Sequence, residues 1–189
     1  MYIYSVDKME ERTQELIRAC LKGNVAAQRG LYDLYRSKWY MLSMRYAKSK
    51  FEADDLLQEG LVYIFKDLHM YNPEKGKFVN WSARVLVNAS LRYLKKNSWH
   101  SQLTDIDDAY EAESKQETVY EKLAAHELTL LLQQLPAGYR LIFNMYAIEG
   151  YSHKEISELV GISVGTSKSQ LSKARKTLRI KLEKQLVNI

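Results

Sequence analysis

The segment "GYSHKEISELVGISVGTSKSQLSKARKTLR", residues 150–179, carries the clearest local structural signals in the chain. Ser152 is followed three residues later by Glu155, which is the spacing of a capping box that begins a helix. Gly161 suits the left-handed backbone conformation that ends a helix, and Ser163 can cap the next helix. The segment therefore predicts two helices joined by a glycine turn.

The second of these helices has an apolar side and a larger polar side. The apolar side consists of Val164, Leu171, Ala174, Leu178 and Leu182. The polar sides carry Thr166, Ser167, Lys168, Ser169, Gln170, Ser172, Lys173, Arg175, Lys176 and Arg179. This arrangement is typical of a helix-turn-helix, in which the second helix meets base edges in the major groove and its cations bind phosphates. An amphipathic helix with a solvated cationic face is the alternative.

Composition favours a helical protein of one ordinary domain or two small ones. The chain has 189 residues, 46% of them hydrophobic, with only 8 Gly and 2 Pro. No run of about eighteen apolar residues is present, and the N-terminus lacks the apolar region of a secretory signal, so we expect no membrane insertion. Cys20 is the only cysteine, which excludes an internal disulfide and fits a cytoplasmic location.

Charge is distributed in three blocks. Residues 1–100 carry 17 basic and 11 acidic residues, residues 101–150 carry 3 and 9, and residues 151–189 carry 8 and 3. The blocks therefore have balances of +6, −6 and +5. Two polyanion-binding modules joined by an acidic tether would have this pattern, although ordinary surface charge would also explain it. We predict an all-α protein with domains at 1–97 and 119–189 and an acidic linker at 98–118.

The first domain is predicted to contain about four helices. They cover 10–21, a segment capped by Asn24, a segment from near Glu52 to about Met70, and 79–96. After the linker, further helices are expected at 119–134 and 139–149.

Residues 75–96 combine cations with aromatic residues. They hold six Lys or Arg and no acid, and Phe78, Trp81 and Tyr93 lie among them. Cations that follow phosphates beside aromatic rings that stack on bases are typical of a single-strand-binding surface. In the alternative interpretation, Phe78 and Trp81 anchor the core and the cations are solvated.

The third predicted helix has a second face that is acidic. Asp55, Gln58, Glu59 and Val62 share it, away from the apolar stripe of Leu57, Leu61, Ile64 and Leu68. Such a face would repel DNA but could dock a basic helix of a protein partner. Favourable interaction of Glu52, Asp54 and Asp55 with the helix dipole is the simpler alternative.

The order of these parts resembles that of bacterial RNA polymerase sigma factors, and in particular the small extracytoplasmic-function (ECF) type. The resemblance covers about residues 10–97 and 119–185. It is carried by "FEADDLLQEGLVYIF" (51–65), "FVNWSARVLVNASLRYLKK" (78–96) and "LPAGYRLIFNMYAIEGYSHKEISELVGISVGTSKSQLSKARKTLR" (135–179). This chain departs from the family at two places. Many family members carry Asp a few residues after the Asn of the second motif, where this chain continues "NASLRYLKK", and many have Arg where this chain has Gln170 or Ser172. These departures concern base preference more than family membership.

The resemblance implies three sets of binding residues. Core polymerase would be bound by Asp54, Asp55, Gln58 and Glu59. The unpaired minus-ten strand would be held by Lys77, Phe78, Asn80, Trp81, Arg84, Asn88 and Arg92, the last through phosphates. The minus-thirty-five element would be read by Thr166, Ser167, Lys168, Gln170, Lys173 and Arg175.

The sequence thus predicts an initiation factor without catalytic chemistry, cofactor or metal. Its expected partners are core RNA polymerase and promoter DNA, both duplex and single-stranded, and an anti-sigma factor is a further candidate partner. One rival is a stand-alone helix-turn-helix regulator that binds its operator as a dimer without polymerase. The other rival is an enzyme, but the four histidines are scattered singly and form no metal-binding or catalytic motif.

Overall fold

The computed structural model describes residues 3–96 and 125–187, and every regular element in these ranges is helical, which confirms the all-α prediction. The α-helices are α1 (Ile3–Leu21), α2 (Val25–Tyr46), α3 (Lys50–Lys66), α4 (Phe78–Lys96), α5 (Ala125–Gln133), α6 (Ala137–Phe143), α7 (His153–Val160) and α8 (Val164–Val187). Two 3₁₀ turns, Leu68–Met70 and Pro73–Lys75, separate α3 from α4, and a π turn, Asn144–Ile148, extends α6.

The chain divides into two compact units. Unit 1 comprises Met1–Ser43 and Phe51–Arg92, and unit 2 comprises Met44–Lys50 and Tyr93–Ile189. The predicted linker, 98–118, and the predicted start of the helix at 119 lie outside the described residues. The boundaries 1–97, 98–118 and 119–189 therefore stay a prediction.

Unit 1 is built around large aromatic residues. Tyr35, Trp39 and Phe78 are buried, and the Trp39 indole N–H donates a hydrogen bond of 3.0 Å to Oγ of the buried Ser82. Asn24 caps α2 as the sequence predicts, because its Oδ1 accepts a 3.0 Å hydrogen bond from the backbone N–H of Ala27. The core thus fixes α4 against α2 through packing and one buried polar contact.

The third helix ends earlier than its apolar stripe suggests. α3 stops at Lys66 rather than near Met70, and Leu68 reaches the core from the following 3₁₀ turn. The chain then reverses through Pro73 and Gly76, whose φ of 142° is readily adopted only by glycine. The last apolar position of the stripe therefore remains buried although the α-helix has ended.

Unit 2 contains the two helices that the sequence predicts at 152–160 and after 163. The capping box is present, because Ser152 Oγ accepts from the Glu155 backbone N–H at 3.2 Å while the Ser152 N–H donates to Glu155 Oε2 at 2.7 Å. Gly161 adopts a φ of 83°, and Ser163 Oγ accepts from the Thr166 N–H at 2.9 Å. All three local predictions are confirmed.

A buried arginine to which the sequence gives no role stabilises unit 2. Arg140 donates to the carbonyl oxygens of Gln133 and Leu135 at 3.2 Å each, and to that of Tyr46 at 3.0 Å. The first two carbonyls lie at or just after the end of α5, where helix geometry leaves acceptors unpaired. Arg140 therefore satisfies backbone carbonyl groups that would otherwise lack donors inside unit 2.

Candidate nucleic-acid and protein interfaces

The predicted acidic face of α3 lies on the outside of unit 1. Asp54 and Gln58 are exposed, and Asp55 and Glu59 are half-buried. The opposite side of the helix is buried through Ala53, Leu56, Leu57, Gly60 and Ile64. The four predicted docking residues are thus accessible to a partner, and the helix remains anchored to its own unit.

The face also carries two exposed apolar residues: Val62, which the sequence places there, and Phe51, which the sequence does not indicate. Phe51 and Val62 are 78% and 65% exposed. With Asp55 and Gln58 between them, they follow the spacing of a single helix face. The sequence pattern does not indicate Phe51, because this residue belongs to the first turn of α3, before the apolar stripe begins. The face therefore combines carboxylates with exposed apolar groups.

The structure contradicts the assignment of Phe78 to the DNA surface. Its ring is completely buried, and its centroid lies 5.1 Å from that of Tyr35, 5.4 Å from that of Tyr71 and 5.6 Å from that of Trp81. A ring with no exposed face cannot stack on a base. Phe78 instead supports Trp81, which is half-buried, so the alternative core interpretation is correct for Phe78.

The remaining predicted residues of the α4 region reach solvent. Lys77, Asn80 and Arg84 are exposed, and Asn88 is half-buried. Lys77, Trp81, Arg84 and Asn88 follow one another at intervals of three or four residues, and Asn80 adjoins Trp81, so they form one broad face. That face contains two cations, two amides and an indole. This composition suits contact with phosphates and unpaired bases.

Arg92 is exposed but has a contact within its own unit. Its guanidinium lies over the ring of Tyr63 on α3, 4.5 Å from the ring centroid. Such a cation–π contact leaves the outer N–H groups of the guanidinium able to donate to a phosphate. The structure is thus compatible with the predicted phosphate contact and adds an anchor for the arginine.

Tyr71 is a member of this surface that the sequence did not reveal. Its ring centroid lies 5.6 Å from that of Trp81, its hydroxyl donates to the Gly76 carbonyl at 3.1 Å, and it accepts from Gln14 Nε2 at 3.1 Å. Burial raises the pKa of the Tyr71 hydroxyl, while the bond from Gln14 lowers it. The neutral phenol therefore ties α1, the loop before α4 and the indole together.

Two of the six residues predicted to face DNA from α8 point inward instead. Ser167 is completely buried and Gln170 is 4% exposed. They lie on the same stripe as Leu171, Ala174 and Leu178, all of which are buried. The prediction that Ser167 and Gln170 contact bases directly is therefore wrong, because the helix turns this stripe toward its own unit.

The first turn of α8, which is the recognition helix of the helix-turn-helix, shows why Ser167 points inward. Val164, predicted as the first residue of the apolar side, is 40% exposed. Ser167, three residues later, takes the inward position in its place. The other four predicted residues remain accessible: Lys168 is exposed, and Thr166, Lys173 and Arg175 are half-buried. The accessible set thus keeps three cations and one hydroxyl.

The described residues contain neither a metal-binding cluster nor a membrane-spanning helix. Among residues 3–96 and 125–187, no three His, Cys, Asp or Glu side chains gather as they would to hold a metal ion. None of the helices in the described part of the chain is both long enough and apolar enough to cross a membrane.

Comparison with known proteins places both units in one family. The model of sigma-70 region 2 matches residues 31–100, and that of sigma-70 region 4 matches residues 125–178. The ECF RNA polymerase sigma factor SigW of Bacillus subtilis is 28% identical, covering 92% of this chain and 98% of its own length. The ECF RNA polymerase sigma-E factor of Escherichia coli is 25% identical, covering 90% and 94%.

A solved structure shares the fold. The co-crystal structure of the sigma factor RpoE with the anti-sigma factor NepR from Bartonella quintana matches with a TM-score of 0.50 at 20% identity, covering 82% of this chain and 96% of the matched chain. The two family regions occur here in the order region 2 then region 4, with the acidic face and the basic aromatic helix in the first and the helix-turn-helix in the second. The chain therefore belongs to the sigma-70 family, as a sigma factor of the extracytoplasmic-function type.

Proposed function

We propose that this protein binds core RNA polymerase, directs it to specific promoters and assists the opening of the DNA strands. The observation that carries the proposal is that unit 1 presents both an exposed acidic face on α3 and a basic aromatic face on α4. A protein that only bound DNA would gain nothing from the acidic face. A stand-alone helix-turn-helix regulator has no use for either face.

We assign a different binding partner to each exposed surface of the two units. Asp54, Asp55, Gln58 and Glu59 would bind a basic surface of the polymerase, with Phe51 and Val62 as apolar contacts. Lys77, Asn80, Trp81, Arg84, Asn88 and Arg92 would hold the minus-ten strand. The accessible residues of α8, which are Thr166, Lys168, Lys173 and Arg175, would bind the minus-thirty-five element as duplex. We propose the domain boundaries 1–97 and 119–189, joined by 98–118, for these activities.

Strand opening would be driven by the binding of bases that have already left the duplex. A base that leaves the duplex costs a few kcal/mol of stacking and pairing, and stacking on an aromatic side chain returns about 1–3 kcal/mol per base. Trp81 has the exposure for that contact, and the amides of Asn80 and Asn88 can bond to base edges. The polymerase performs the chemistry, so we infer that this chain acts without catalytic groups of its own. We further infer a cytoplasmic location, and we propose an anti-sigma factor as an additional partner.

Run-off transcription with core polymerase and a library of upstream sequences tests the proposal. The wild type should direct initiation from a defined subset of the library. A protein that fails to bind core polymerase but binds intact duplex tightly as a dimer would instead be the stand-alone regulator.

Charge reversal on α3 tests the docking surface. Asp55→Arg combined with Glu59→Arg should weaken core polymerase binding about hundredfold or more while helicity is retained, because like charges would then face each other. The matched control reverses two exposed acids elsewhere in unit 1, Glu11→Arg with Asp33→Arg, and should bind nearly as the wild type does. Equal binding by both double variants would remove the docking assignment.

A further inference from the structure

His153, in the first turn of α7, joins three elements of unit 2. Its ring stacks on that of Tyr146 in the π turn, with centroids 4.3 Å apart and planes 21° from parallel. Its Nδ1 lies 2.9 Å from Oγ of Ser167 on α8 and shares a hydrogen bond with it. One imidazole therefore links the π turn, the first helix of the helix-turn-helix and its recognition helix.

A small rotation of α8 at Ser167 would move the neighbouring residues that are proposed to reach DNA. It is completely buried, and its neighbours in sequence, Thr166 and Lys168, are two of the residues proposed to reach DNA. Because successive helical residues are about 100° apart around the axis, a rotation of the first turns of α8 would displace both neighbours relative to the base edges. A directional hydrogen bond at Ser167 resists that rotation, whereas apolar packing alone is less directional.

The stack on Tyr146 gives the imidazole a fixed orientation. Tyr146 belongs to the π turn, a helical form that is frequent at functional sites. Its ring also lies under the guanidinium of Arg175, whose Cζ is 5.9 Å from the ring centroid. The same tyrosine thus contacts His153, which bonds to the buried side of α8, and Arg175, which lies on the accessible part of that helix.

We infer that His153 is a positioning residue for promoter recognition: it sets the rotation of the recognition helix through Ser167, with Tyr146 holding its ring. The inference rests on the proposed function and adds a determinant of specificity that lies outside the recognition helix. It also explains why a hydroxyl stands on the buried stripe of α8, where an alanine would pack as well.

A double-mutant cycle in the full-length protein separates the hydrogen bond from the stack. His153→Phe keeps an aromatic ring for Tyr146 but has no ring nitrogen, and Ser167→Ala removes the other partner of the bond. The third variant carries both changes. The control is Thr177→Ala, which removes a hydroxyl from the same helix. That hydroxyl donates to the carbonyl of Lys173 in the preceding turn.

The measurement compares run-off transcription from two templates. One is a promoter selected from the library, the other is the same promoter with its minus-thirty-five element scrambled, and the ratio of the first to the second is recorded. Each single variant should lower this ratio about three- to tenfold, the effect of one hydrogen bond, and the double variant should lower it no further. Core polymerase binding and the thermal midpoint should stay close to those of Thr177→Ala, which itself keeps the wild-type ratio.

The outcomes distinguish the inference from the function on which it rests. A wild type that initiates no promoter-dependent transcription would overturn the proposed function and the inference together. A wild type that does so, with single variants that keep its ratio or with losses that add in the double variant, would overturn the inference alone. A ratio that falls only in step with the thermal midpoint would reduce His153 to a structural residue.

Discussion

The two helices proposed to meet DNA, α4 and α8, differ in the interaction that holds the first turn of each in its unit. The inward side of α4 begins with Phe78, which packs among aromatic rings, whereas the inward side of α8 begins with Ser167, which bonds to His153. Aromatic packing depends on volume and shape, and hydrogen bonds depend on direction. Changes of volume should therefore damage unit 1 most, and loss of single polar atoms should be felt in unit 2.

A pair of glycine substitutions tests this difference and has the largest expected effect. A Cβ on Gly60 of α3 would lie 1.9 Å from Cδ1 of Leu86 on α4, which is completely buried, so the leucine has little room to move. Gly60→Ala should lower the free energy of unfolding of unit 1 by about 3 kcal/mol. Urea unfolding followed by hydrogen exchange of the amides in each unit measures the effect.

Gly165→Ala in unit 2 is the matched control. There a Cβ would lie 3.5 Å from Ser163 Oγ, an ordinary contact, so alanine should stabilise α8 by about 0.5–1 kcal/mol through its better helix propensity. If both substitutions destabilise their units equally, the close approach of α3 and α4 does not limit unit 1 and the contrast fails.

Local signals explain what the sequence could predict. The capping box of Ser152 and Glu155, the left-handed Gly161 and the Asn24 cap each involve residues within a few positions, so their geometry can be read from spacing. The outward face of α3 was also predictable, because a regular apolar stripe defines the opposite side.

What the sequence could not predict depends on contacts between distant segments. Phe78 suits both a core and a base-stacking surface, and only its contacts with Tyr35 and Tyr71 decide between them. Polar residues usually face solvent, so the sequence favours an outward Ser167, and His153, fourteen positions earlier, provides the bond that permits its burial. The role of Arg140 is not visible in the sequence for the same reason, because its acceptors are backbone carbonyls of Tyr46 and Gln133.

Trp81→Ala tests the surface on α4 and should have the next largest effect. Loss of the indole removes the proposed stacking platform and should slow promoter opening about thirtyfold, equivalent to about 2 kcal/mol, as measured by 2-aminopurine fluorescence in the minus-ten strand. Binding of the same holoenzyme to closed duplex should change little.

Trp81→Phe is the control for that experiment, because it keeps a ring that can stack on a base and can still pack on Phe78 and Tyr71. It should open promoters at close to the wild-type rate. Equal losses of opening and of duplex binding in Trp81→Ala would mean that the indole only supports the fold of unit 1.

Ser152→Ala has the smallest expected effect and tests the polar side of the comparison. The substitution removes the oxygen that accepts from the Glu155 N–H, so the first turn of α7 should fray at a cost of about 1 kcal/mol. Amide exchange of Glu155 should quicken about fivefold, while amide exchange in α4 stays unchanged. Ser152→Asp restores an acceptor and should return most of the protection of the Glu155 amide. Because His153 lies in this turn, promoter selectivity should fall together with that protection. Fraying without a loss of selectivity would show that α8 keeps its orientation independently of α7.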